Sequence, residues 1–390
     1  MALSLQKDIT FFYSNPVERE TVLPVYNEAI HRGYMASLTD NPFQRSEIGL
    51  YCQHRCFPKN AKFSLVMLHD MGQGQLDWPN LWKREPWHEF DIGFLPGESW
   101  VTRWHQSAAH PYAHPRKGIY NVGWPKSDHI LESREGESPE TTALRESLNL
   151  EHDISILYAP AWENDGKQDE FVQSLMGLPV NLLLKQFPWT EEWPTMVKEV
   201  ARVNQLHDGI APNVHVVNPD ISIMNCIELA DVLVSEESSC LMEALLLGRS
   251  TVSVSDWMIP DTTPSRLPAA PFDVLLKTPK AELKQTIERL LLDMPAAKLK
   301  ASELRDNNFS NLGTSAKLIM DIIDNVIDPG QPLPELRAES TELTPSAIPL
   351  RDRFNRHLSN LVYTSKYHLG IKGQLKNILL SLIPGKQNKG

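Results

Sequence analysis

Four cysteines in 390 residues are too few for a disulfide framework, and a reducing cytosol is the expected compartment. No apolar run approaches the ~20 residues of a membrane-spanning helix. The opening segment MALSLQKDITFF has no basic stretch ahead of a long apolar one, so no signal peptide is expected. Basic residues are also in deficit. There are 38 Lys and Arg against 49 Asp and Glu, a net charge of −11, which argues against a general nucleic-acid binder. What remains is an ordinary globular composition. A hydrophobic fraction of 41% excludes a disordered chain. At ~150 residues per domain the length allows two domains or three.

The charge is unevenly placed. Between Phe354 and Gly390 stand Arg356, Lys366, Lys372, Lys376, Lys386 and Lys389, with no Asp or Glu. An acidic body therefore carries a basic tail.

Short runs rich in Val, Ile and Leu recur through the chain, without clean alternation. They predict strands buried on both faces, as in a parallel sheet. In the first part these are Ile9–Tyr13, Tyr34–Leu38, Ile48–Cys52, Ser64–Leu68, Ile92–Leu95 and Ile119–Val122. In the second they are Ile154–Tyr158, Asn181–Lys185, Val214–Val217, Val232–Ser235, Thr251–Val254 and Val274–Leu276. Helical patterns lie between many of them, so the expected fold class is α/β, with two Rossmann-like doubly wound domains facing a central cleft. The first domain is placed at 1–140 and the second at 151–328. The polar stretch 132–151 is the break between them. A Pro-rich linker is expected over 329–350 and a basic helical tail over 351–390. Ligands of such sheets bind beyond the carboxyl ends of the strands, which makes the interdomain cleft the default site.

Four segments fall at those strand ends. Leu68-His69-Asp70-Met71-Gly72 closes a strand with a histidine and opens a glycine-bearing loop. A neutral imidazole there can take a proton from a hydroxyl nucleophile. A lone histidine more often simply closes a strand. Gly123-Trp124-Pro125-Lys126-Ser127-Asp128 sets a cation and an acid after a turn, and a plain surface turn accounts for it equally well. Tyr158-Ala159-Pro160-Ala161-Trp162 lies beside Lys185-Gln186-Phe187-Pro188 on the next strand. A lysine at a strand exit can neutralise phosphate, and a solvated strand end is the plainer reading. The most specific segment is Ser235-Glu236-Glu237-Ser238-Ser239, running strand, loop, helix. Ser238 or Ser239 makes a good N-cap, and that helix start favours an anion. Glu243, one turn further, could accept hydrogen bonds from ribose hydroxyls, or serve only as favourable charge in the first turn.

Together with Leu95-Pro96-Gly97-Glu98-Ser99-Trp100, these segments in this order resemble the CDP-glycerol glycerophosphotransferase family of teichoic-acid and capsule synthesis. The resemblance covers roughly 63–254, about half the chain. It implies the two-domain GT-B fold and inverting transfer from a nucleotide-diphosphate donor to a hydroxyl of a glycan or lipid-linked acceptor. It implies His69 as the base, Ser238 and Ser239 as ligands of the donor diphosphate, and Lys185 near its phosphates. Tyr158, Pro160 and Glu243 are expected on the donor side, and Asp70, Gly72, Lys126 and Asp128 on the acceptor side of the cleft. No resident cofactor and no metal are expected. The chain departs from the family pattern at Asp70, at Lys126, which loses bidentate phosphate recognition, and at Glu163, Phe187 and Glu236-Glu237, where cations or donors are lost or negative charge is added. A CMP- or UDP-sugar donor therefore fits no worse than CDP-glycerol. Two other readings stand beside the transferase. One is a non-hydrolysing UDP-sugar 2-epimerase, whose full set of acids and bases is not found. The other is a non-catalytic protein that binds a glycan or a partner.

Cys52 and Cys56, with His54 between them, are only loosely spaced for zinc. Trp78, Trp82, Trp87, Trp100 and Trp104 are expected mostly in the core, although a few could line a sugar-binding face. In the tail, Leu375, Ile378, Leu379 and Leu382 mark one helical face among lysines. That face suits an anionic membrane surface, on the inner side of the cell membrane, or packing back on the acidic body.

Overall fold

The computed structural model describes residues 5–52, 56–68, 70–71, 87–107, 112–132, 136–163, 165–260, 274–329, 338–339 and 349–369. In the first half, β1 (Asp8–Phe12), β2 (Met35–Thr39), β3 (Ser46–Cys52), β4 (Ala61–Met67), β5 (Ile92–Leu95) and β6 (Ile119–Asn121) form one sheet in the order β6-β5-β4-β3-β1-β2, all parallel. Helix α1 (Pro16–His31) links β1 to β2. It starts where Asn15 accepts hydrogen bonds from the backbone of Val17 and Glu18, with Pro16 in the first turn. Helix α2 (Glu98–Ser107) follows β5, and a short helix α3 (Asp128–Leu131) follows β6.

Helix α4 (Pro139–Leu148) lies inside the stretch expected from its polarity to be a plain break. Its start is built by local chemistry: Ser138 caps it and Pro139 opens it, while Asn149 ends it in a left-handed conformation at φ 48°. Glu228, from the second half, accepts from the Ser138 backbone N–H at 3.1 Å and from Thr141 Oγ1 at 2.6 Å. The connection is thus a helix tied down to the second domain.

The second sheet comprises β7 (Ser155–Tyr158), β8 (Asn181–Lys185), β9 (Val214–Val217), β10 (Val232–Ser235), β11 (Ser250–Val254) and β12 (Leu276–Thr278), ordered β12-β11-β10-β7-β8-β9 and again parallel. Helices α5 (Lys167–Leu175), α6 (Pro194–His207), α7 (Ile223–Leu229) and α8 (Ser239–Leu246) connect the strands, followed by α9 (Leu283–Leu292) and α10 (Met294–Asn308). Strands such as β8, NLLLK, are buried at every position, because helices cover both faces of the sheet.

Two expectations about the boundaries change. The second domain was expected to run to 328, but helix α11 (Ser315–Ile327) packs on α1 of the first domain. Arg32 reaches Asp321 at 2.6 Å and Asp324 at 2.8 Å, and the Tyr34 hydroxyl donates to Asp324 at 2.6 Å. The apolar face of α11, with Ile319, Met320, Ile322 and Ile323 buried, requires that partner. The chain therefore crosses back after Asn308. The segment 329–350 contributes β13 (Ala338–Glu339), an antiparallel edge strand on β6. Helix α12 (Leu350–Leu369) then lies on the first domain: Arg356 pairs with Glu89 at 2.8 Å, and the Tyr363 ring sits 5.9 Å from Phe57 and 6.0 Å from Phe43. The apolar face expected beyond it lies outside the described residues. No helix among the described residues is long and apolar enough to cross a membrane.

Candidate functional site

In each sheet the chain leaves its first strand to one side and returns on the other. Between β1 and β3, and between β7 and β10, the connections diverge, which opens a crevice at the carboxyl ends of the strands. At the first switch point lies a cavity of about 200 Å3. Phe12 and Tyr51 stack face to face, with centroids 4.3 Å apart, and line it together with Ser14 and Asp40. Glu192 of the second domain and Tyr363 of α12 also line it, so the cavity belongs to both halves of the molecule. His69 and Gly72 lie outside the described residues; Leu68, just before His69, is buried beyond the end of β4. Asp70 is half-buried. Neither Cys52 nor Cys56 is in a disulfide, and burial raises the pKa of Cys52. Among the described residues no group of three His, Cys, Asp or Glu is arranged to hold a metal.

The second switch point is filled by the chain's own carboxylates. Glu236, buried just after β10, accepts from the backbone N–H of Ala161 at 2.7 Å and of Trp162 at 3.4 Å, and its counter-ion Lys167 stands at 3.4 Å. Burial raises the pKa of Glu236 in spite of these donors. Glu163 is fully buried and accepts from the Tyr158 hydroxyl; burial pushes its pKa up to about 7. Pro160 is buried between these groups in sequence. Two of the acidic departures from the family pattern, Glu163 and Glu236, are thus internal ligands of the loop after β7. The negative charge is compensated within the loop rather than presented to solvent.

Helix α8 begins beside them. Ser238 caps it, accepting from the Cys240 backbone N–H at 3.3 Å, and Ser239 is half-buried at its first position. Lys185 ends β8 with its ammonium buried and donating to the carbonyls of Gln186 at 2.9 Å and Pro219 at 2.7 Å. Burial lowers its pKa.

The Gly123–Asp128 segment is neither a surface turn nor an open cleft wall; it is the seam between the domains. Gly123 has φ 91°, and a Cβ there would come within 2.4 Å of Ser315 Oγ and 2.6 Å of Ser310 O. Lys126 is buried and forms ion pairs with Glu243 of α8 at 3.1 Å and Glu20 of α1 at 3.4 Å. Trp124 Nε1 donates to the same Glu243 oxygen at 3.3 Å. Burial opposes the Lys126 charge, but the two carboxylates outweigh it and hold its pKa above the usual lysine value. Glu243, expected to meet ribose hydroxyls, is 2% exposed and engaged with first-domain partners. Asp128, expected in the cleft, accepts from the Ala316 backbone N–H at 2.7 Å at the start of α11; burial pushes its pKa up to about 7.

One feature of the cleft goes beyond the sequence motifs, although Trp162 and Phe187 belong to two of them. Trp162 after β7, Phe187 and Trp189 after β8, and Trp193 before α6 form a contiguous aromatic cluster. Trp162 and Trp189 are 4.8 Å apart, Phe187 and Trp189 4.7 Å, and Trp189 and Trp193 5.7 Å. Trp193 is 49% exposed. The density of aromatics in Phe187-Pro188-Trp189-Thr190-Glu191-Glu192-Trp193, directly after a strand, was the available signal. By contrast Trp87, Trp100 and Trp104 are core residues, as expected, and Trp78 and Trp82 lie outside the described residues.

No family model and no curated protein matches this sequence. Solved structures do match in shape. The wall teichoic acid polymerase TagF superimposes with a TM-score of 0.61 at 13% identity, over 84% of this chain and 91% of that one. The MnaA–UDP complex of S. aureus gives 0.55 at 11% identity, over 84% and 99%. A UDP-N-acetylglucosamine 2-epimerase, so described as putative, from Listeria monocytogenes gives 0.52 at 12% identity, over 88% and 99%. The two parallel sheets with their covering helices match these structures, and the fold of this chain is GT-B.

Proposed function

We propose that the chain is a GT-B transferase that moves a glycosyl or polyol-phosphate group from a nucleotide-linked donor to an acceptor hydroxyl. The observation that carries this reading is the cavity at the first switch point, which residues of both domains line. A two-substrate transfer needs an acceptor held in one domain and a donor in the other, brought together across the cleft.

The donor's diphosphate is assigned to the start of α8, where Ser238 and Ser239 stand at the positive end of the helix. The acceptor is assigned to the first switch point. His69, which follows β4, is the proposed base: its imidazole takes the proton as the acceptor oxygen forms a bond to the transferred carbon or phosphorus. The bond from that centre to the nucleotide's phosphate oxygen breaks, and the electron pair leaves with the nucleotide. The helix start stabilises that leaving charge, an effect commonly worth ~3–4 kcal/mol per donor. TagF and MnaA, whose structures were determined with CDPG and UDP respectively, support a nucleotide-diphosphate ligand for this fold.

The test is equilibrium binding of CDP, CMP and UDP. Binding of one of them, weakened at least tenfold in Ser239→Ala, is the expected result. Equal affinity in the variant, or no binding of any nucleotide, contradicts the donor assignment.

The tail supports a peripheral contact with an anionic membrane. Leu350, Phe354 and Leu361 are exposed on α12 beside the exposed Arg351 and Arg353. Co-sedimentation with phosphatidylglycerol vesicles, lost when the chain ends at Pro349, is the expected outcome. Unchanged binding discards this contact.

A further inference from the structure

We propose that the acceptor is an uncharged pyranose glycan, held by the first-switch-point cavity and the Trp162–Trp193 aromatic cluster acting as one extended groove. The proposal rests on the transferase reading and names its acceptor class. Three observations carry it. Aromatic rings line the cavity: Phe12 and Tyr51, buried and stacked at 4.3 Å, with Tyr13 and Tyr363. Its polar lining includes Ser14, Asp40 and Glu192, all three exposed. Glu192 is the immediate neighbour of Trp193, so the residue that closes the cavity from the second domain adjoins the exposed end of the cluster.

The chemistry of these groups selects the ligand. Aromatic faces carry negative quadrupole charge and attract the weakly positive C–H faces of a pyranose ring. Carboxylates are acceptors only, and sugar hydroxyls are donors that satisfy them. Recognition of phosphate calls instead for Arg or Lys, and none appears among the described residues that line the cavity. A polyol-phosphate chain has no ring to stack, and a protein of net charge −11 repels it. The cavity, at about 200 Å3, is smaller than the ~300–1,000 Å3 of whole-ligand pockets. It suits one subsite of a longer chain, with the aromatic cluster carrying further rings.

The test is isothermal titration calorimetry on the full chain without donor. The probes are cellotetraose, maltotetraose and chitotetraose, with a glycerol phosphate trimer as the anionic comparison. CDP and UDP are titrated in the same series. The variants are Trp193→Ala and Glu192→Gln, both at exposed positions, with thermal midpoints as the check on folding. At least one tetrasaccharide is expected to bind, tenfold or more weakly in Trp193→Ala and threefold or more weakly in Glu192→Gln, and the trimer is expected not to bind. The proposal is overturned if no tetrasaccharide binds, if the trimer binds more tightly, or if Trp193→Ala weakens only nucleotide binding. Nucleotide binding retained while glycan binding fails removes this proposal alone. Failure of nucleotide binding with glycan binding intact removes the transferase reading instead.

Discussion

Lys126 of the first domain and Glu243 of the second lie 3.1 Å apart, with both side chains shut off from water. Glu20 completes the arrangement at 3.4 Å and itself accepts from Ser222 at the start of α7. The relative position of the two halves of the molecule is therefore held by a charged cluster in the seam.

Removing one partner leaves the other as an uncompensated buried charge. Lys126→Met is expected to destabilise the chain by ~3–5 kcal/mol in urea unfolding. Adding Glu243→Gln is expected to recover part of the loss, since the two residues form one network. The raised ammonium pKa contributes stability below the usual lysine value, lost only as pH climbs through the raised one. The cluster is thus expected to persist throughout neutral pH. Losses that simply add in the double variant would show that the two residues act independently.

Glu163 follows the same sign, but within the neutral range. Burial raises its pKa from an ordinary carboxyl value to about 7, so between about pH 4.5 and 7 the folded chain holds a proton that the unfolded chain has released. The stability contributed by the protonated form is lost as pH rises through that window. Glu163→Gln keeps an acceptor for the Tyr158 hydroxyl and cannot titrate. The thermal midpoint of the variant is expected to fall less than that of the wild type between pH 5 and 7.5. Parallel profiles would contradict the assignment.

Gly123→Ala is expected to cost well over ~1 kcal/mol, because a left-handed backbone and a close neighbour both oppose the added methyl. Gly209→Ala is the control: its φ is 68°, but a Cβ there meets nothing within 4 Å. Chemical denaturation should rank the two losses in that order. Equal losses would show that the approach of 310–315 does not constrain Gly123.

The sheets were legible because a strand buried on both faces is written mostly in Val, Ile and Leu; β8 (NLLLK) and β10 (VLVS) are buried at every position, with polar residues only at their ends. The start of α8 was legible because Ser238 is a good cap. The roles of Lys126, Asp128 and Glu243 were not. A cation and an acid after a turn look the same in sequence whether they face a ligand or a neighbouring domain. The return of the chain across the seam at 308–315 decides between these, and it is a long-range fact. Helix α4 was missed because its outward residues are polar, although Ser138-Pro139 marked its start. The aromatic cluster was missed because Trp162 and Trp189 come together only when β7 pairs with β8.

The central claim is group transfer from a nucleotide-linked donor, and acceptor-dependent nucleotide release tests it most directly. CDP-glycerol and a panel of CMP- and UDP-sugars are incubated with the wild-type chain and with His69→Ala, with and without a glycan acceptor. The account predicts that one donor releases its nucleotide faster when acceptor is present, and that His69→Ala abolishes this while donor affinity stays within a few-fold. Isomerisation of a UDP-sugar without acceptor, or release that is unchanged in His69→Ala, would contradict it.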